Sequence, residues 1–155
     1  MDSIRIPSFA ERLSGAFSGI VTWQQLDDLW ARVRAQAAGW YIYAVGDVPP
    51  AAPAEASALI AFTQEITALL KRDHKEDYCG IVYADDKDDP TFIKIFDPHN
   101  LGSSCGSSGV KTLPGWLVTR MPPERLDDPR PLPESRKRWW RSVFAKAGSD
   151  ARRES

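Results

Sequence analysis

Cysteine, histidine and methionine are each present only twice in the 155 residues. A tetrahedral zinc site would need both cysteines and both histidines, and the positions His74, Cys79, His99 and Cys105 match no zinc-ligand spacing. No metal or other cofactor is expected. No apolar run approaches the length that spans a bilayer. Met1 to Arg12 carries Asp2, Arg5, Glu11 and Arg12 without an apolar core, unlike a secretory signal. The expectation is therefore a cytoplasmic protein without a membrane span, its thiols reduced. Charge of one sign is lacking too: the net charge is -1, so a surface made wholly for nucleic acid is not expected, although local basic patches are allowed. No repeat and no second composition regime appears, so residues 1–147 read as a single domain and 148–155 as a polar, frayed C-terminal tail.

What is present reads as alternating helices and strands. Ser8 stands three residues before Glu11, and Thr22 three before Gln25. This is the capping-box spacing, which predicts helices over about 9–17 and 23–38. The second carries an apolar stripe of Trp23, Leu26, Leu29, Trp30 and Val33 and stops at Gly39. Trp40 to Val45 is apolar at every position, as in a strand buried on both faces. A helix of about twenty residues follows, with Leu59, Phe62, Ile66, Leu69 and Leu70 on one side and basic residues at its end. Residues 78–83 and 91–96 read as a hairpin around an acidic tip, 116–121 as a fourth strand, and 134–147 as a last helix.

A long helix between the first two strands is the sequence pattern of a parallel crossover. The expected fold is α+β: a two-layer sandwich whose mixed four-stranded sheet combines a β-α-β crossover with an antiparallel meander. Two N-terminal helices and one C-terminal helix complete it. Trp40, Ile42, Ile81, Val82, Ile93 and Ile95 are the expected strand core.

Three stretches carry possible chemistry. In the loop 101–109, Gly102, Ser103, Ser104, Gly106 and Ser107 offer backbone N–H groups with little side chain to hide them, a composition suited to an anion-binding nest. It is no P-loop, since no Gly-Lys-Ser/Thr follows and Pro114 and a strand come next. Cys105, His99 and Asp97 form the one set resembling an activated nucleophile, an imidazole oriented by a carboxylate and drawing a proton from a thiol. An enzyme of acyl or thiol transfer is the alternative reading. Asp-Pro-His-Asn is equally a turn. The acidic tip 85–89 lacks the glycine and glutamate of a calcium loop and reads as solvated. On the last helix, Arg136, Lys137, Arg138, Arg141 and Lys146 surround the Trp139–Trp140 pair. Adjacent helical side chains point about 100° apart, so both rings cannot lie at the centre of one buried stripe. Aromatic and Arg residues are enriched at interfaces. The leading reading is a small non-enzymatic binding protein that takes a protein partner or a small anionic ligand, with the Gly/Ser loop as its functional surface and the last helix as a partner face.

Overall fold

A computed structural model describes residues 8–74, 76–98, 113–126 and 134–153, the last ten as backbone only. The fold is α+β, with four helices and a five-stranded antiparallel sheet. In chain order the elements are α1 (Phe9–Leu13), β1 (Ser18–Ile20), α2 (Trp23–Ala35), β2 (Tyr41–Ala44) and α3 (Ala56–Asp73). There follow β3 (Val82–Ala84), β4 (Phe92–Ile95), β5 (Trp116–Thr119) and α4 (Glu134–Arg153).

Both capping boxes form. The Ser8 and Thr22 hydroxyls accept from the N–H groups of Glu11 and Gln25, whose side chains reach back to the cap N–H groups. The first helix is shorter than its spacing predicts, because residues from Ser18 onward are drawn into the sheet as β1. The second stops at Ala35. Beyond it the carbonyls of Gln36 and Ala38 accept from the Arg120 guanidinium at 2.8 and 2.9 Å, and Gln36 O also takes the Trp40 indole N–H at 2.8 Å. Arg120 lies 4.3 Å from the Trp40 ring centroid, so one side chain both caps the helix end and stacks on the residue that leads into β2. Gly39, at φ +91°, makes the turn between them in a backbone region that side chains rarely adopt.

The strand order is β1-β3-β4-β5-β2, antiparallel throughout. This corrects the expected mixed four-stranded sheet in two ways. A fifth strand, β1, pairs with β3, and no parallel pair follows the long helix. The reason for the second lies in the connection. Ala54 N–H donates to Trp40 O, so the loop after β2 has already returned to the beginning of that strand before α3 starts. The helix therefore travels in the direction of β2, and β3 must run back against it. In a parallel crossover the helix itself makes the return. β4 and β5 then fill the sheet between β3 and β2.

Alternation divides the core. Ile20, Val82, Ala84, Ile93, Ile95, Trp116, Val118, Ile42 and Ala44 point to one face and pack with the apolar stripes of α2 and α3 and with Val143 of α4. Phe92, Leu117, Tyr43 and Val45 point to the other and are covered by Phe9, Leu13 and Phe17, with Leu113, Met121 and Leu126. The six residues expected in the strand core are all buried.

The acidic tip is only partly solvated. Asp86, Asp88 and Asp89 are exposed, but Asp85 is half-buried. Its Oδ1 accepts from the N–H groups of Asp86, Thr91 and Phe92 at 2.9–3.0 Å. Its Oδ2 accepts from the Thr91 hydroxyl and, at 2.7 Å, from Arg12. Asp85 thus ties the β3–β4 connection to the last turn of α1. Asp85→Ala leaves several donors without their acceptor and is expected to cost about 1–3 kcal/mol in urea denaturation, with Asp85→Asn costing less because one acceptor oxygen remains. A loss below about 0.5 kcal/mol for the alanine variant would show that water replaces the carboxylate at no cost.

Candidate functional site

The described surface that gathers most chemistry lies where the end of α3 meets the start of α4. Phe62, fully buried on α3, is the packing post. The Trp139 and Trp140 rings meet it edge-on with centroids 6.3 and 6.1 Å away, and Trp139 also meets Trp116 of β5 at 5.5 Å. Both tryptophans are half-buried. This is the compromise their adjacency on a helix imposes, since neither takes the centre of the stripe. Arg136 and Val143 take it instead.

A guanidinium in that position must be paired. Arg136, 7% exposed, donates through Nε and one terminal nitrogen to the two oxygens of Asp97 at 2.9 Å each, a bidentate fork. Its other terminal nitrogen lies 2.8 Å from Asp73 Oδ2. Asp73, the last residue of α3, also accepts from Arg72 at 2.8 Å. Four charges thus join the end of α3, the residue that follows β4 by two positions, and α4. The hydrogen bond from Arg72, helped by Arg136 and opposed by burial, lowers the Asp73 carboxyl from 3.8 to about 2. Burial alone would lower Arg136, but hydrogen bonds and charge from Asp97 and Asp73 outweigh it and hold it raised.

Above this quartet runs an open groove of about 610 Å³, lined by Arg72, Asp73, Ser135, Arg136, Arg138, Trp139 and Ser142. Ser135, Arg138 and Ser142 are spaced three and four apart on α4 and so share one side of the helix. Arg138 and Arg141 are exposed, and among the described residues neither has a carboxylate partner. Lys137, by contrast, sits 3.7 Å from Glu134.

The expected site residues distribute unevenly. His99, Gly102, Ser103, Ser104, Cys105, Gly106 and Ser107 lie outside the described residues. Asp97, the third member of the thiol set, is 1% exposed with both oxygens on Arg136. Trp139, Trp140, Arg138 and Arg141 share one helix, and of these Trp139 and Arg138 line the groove. Asp73, Ser135 and Ser142 were not singled out by sequence, and Arg72 and Arg136 stood out only as basic residues of their helices, not as members of an ion-pair cluster. Arg136 and Asp97 are 39 residues apart, and no local pattern pairs them. Cys79 is free and buried, and burial raises its thiol, as suits an inert core residue.

Among the described residues, no group of three or more His, Cys, Asp or Glu could hold a metal ion, and no helix is long and apolar enough to cross a membrane. No family model matches the sequence, and comparison with curated proteins and with solved structures found no similar protein.

Proposed function

We propose that this is a non-enzymatic, cytoplasmic interaction module that takes an acidic segment of a partner protein along the groove between α3 and α4. The observation that carries this reading is the contrast among its arginines. Arg136 and Arg72 are held by Asp97 and Asp73, whereas Arg138 and Arg141, on the exposed side of the same helix, have no counter-charge among the described residues. The paired arginines give a fixed floor. The unpaired ones supply net attraction without first breaking an existing ion pair. The half-exposed Trp139 adds an apolar wall of the kind that anchors interfaces.

The test is the binding of fluorescein-labelled hexaglutamate, followed by anisotropy at increasing salt. Affinity should fall with ionic strength. Reversing both charges, Arg138→Glu with Arg141→Glu, should weaken binding by at least about tenfold. Both side chains are exposed, so the fold should be kept. Unchanged affinity in the doubly reversed protein would contradict the reading.

A further inference from the structure

An acidic segment of the kind the groove suits is carried by the chain itself. Resting on the reading above, we infer that the partner is a second copy of this protein, which places the acidic tip of its β3–β4 connection in the groove between α3 and α4.

The tip, residues 85–89, has four aspartates around Lys87. Asp85 is engaged by Arg12 and by the turn itself, whereas Asp86, Asp88 and Asp89 are exposed. Three exposed carboxylates against one exposed ammonium leave a charge of -2. The ion pair from Arg32 to Asp88 is long, at 3.9 Å, and the Asp88 side chain is 92% exposed, so little is lost in giving it up. The backbone that presents these groups is already ordered. Asp85 Oδ1 accepts from the N–H groups of Asp86, Thr91 and Phe92, and Asp86 Oδ1 from those of Asp88 and Asp89 at 2.9 and 3.2 Å. A segment fixed before it binds loses less conformational entropy than a free acidic tail.

The receiving surface has the opposite sign. Asp73 and Asp97 balance Arg72 and Arg136, so among the described residues Arg138 is the one uncompensated charge of the lining. Sign complementarity of this sort steers association and fixes its register. Position separates the tip from its own groove. The tip precedes β4, whereas Asp97, which holds Arg136, follows β4 by two residues. The four residues of β4 put about 13 Å of strand between them. The contact therefore joins unlike surfaces of two molecules. A net charge of -1 on the whole chain leaves little long-range repulsion to oppose it.

The experiment is sedimentation velocity on the full chain, at concentrations up to about 1 mM and at low and high salt. The wild type should associate with rising concentration, and salt should weaken the association. Asp88→Asn with Asp89→Asn removes two charges and leaves the turn's hydrogen bonds, which the Asp85 and Asp86 carboxylates accept. Arg138→Glu reverses the charge in the groove. Each variant alone should associate at least about tenfold more weakly than the wild type. Mixed in equal amounts they should form a heterodimer, since one keeps the groove and the other the tip. A wild type that stays monomeric at low salt and about 1 mM would overturn the inference. So would undiminished association of the doubly substituted tip variant, or a mixture of the two variants that stays monomeric. Hexaglutamate separates the two levels. If it binds with the expected loss on charge reversal while the wild type stays monomeric, this inference fails and the acidic-segment reading stands. If the wild type associates through tip and groove but hexaglutamate does not bind, the inference stands and general recognition of acidic segments fails.

Discussion

Replacing Arg136 by leucine is expected to destabilise the protein by about 3–5 kcal/mol in urea denaturation at neutral pH, because it strands the Asp97 carboxylate in the interior. Asp97 is 1% exposed, and both its oxygens accept from Arg136. The double variant, Asp97→Asn with Arg136→Leu, should recover part of the loss, since a neutral amide costs less to bury than a charge. Acid should shrink the effect as well. Asp73 is lowered in the folded protein from 3.8 to about 2, so its ion pairing contributes stability that is fully present above about pH 4 and is lost as the pH falls towards 2. Stability measured against pH should therefore fall across that window in the wild type and fall less in Arg136→Leu, where one of the two guanidiniums on Asp73 is gone. A cost below about 1 kcal/mol at neutral pH would mean that water reaches Asp97 and the quartet is not a buried device.

The second large effect is expected at Phe62. This ring is fully buried and meets both Trp139 and Trp140. Phe62→Ala should cost about 3–5 kcal/mol, from lost burial together with the cavity left behind. Because the cavity lies under α4, tryptophan emission should shift to longer wavelength while the protein is still folded. Phe62→Leu, which keeps most of the volume, should shift it less. An unchanged emission spectrum in a folded Phe62→Ala protein would place the support of the tryptophans elsewhere.

These two sites mark what could and could not be read from the chain. Local signals were legible: both capping boxes, the stripe on α2, and the apolar runs that became β2, β4 and β5. Each depends on residues within one or two turns of one another. The strand β1 was missed because Ser18-Gly19-Ile20 is short, holds a glycine and shows no alternation. Only its register against β3 makes it a strand. The parallel crossover was expected from element order, and a single hydrogen bond, Ala54 N–H to Trp40 O, shows why the order misled. At the site, the aromatic and basic residues of α4 stood out in sequence. The ion pairs that separate fixed arginines from unpaired ones did not, because Asp73, Asp97 and Arg136 meet only through the tertiary fold. Asp97 shows the same limit from the other side. Nothing in its local sequence indicates that both its oxygens accept from Arg136, 39 residues away.

The central claim is that recognition occurs on α4 where it faces the end of α3. The most direct test is an amide and indole NMR titration of the uniformly labelled protein with hexaglutamate. The account predicts that the amides of Ser135, Arg138, Arg141 and Ser142 move together with the Trp139 indole N–H, and that Arg72 and Asp73 follow. Shifts concentrated instead in the Gly/Ser stretch 101–109, with α4 unmoved at saturating peptide, would contradict it.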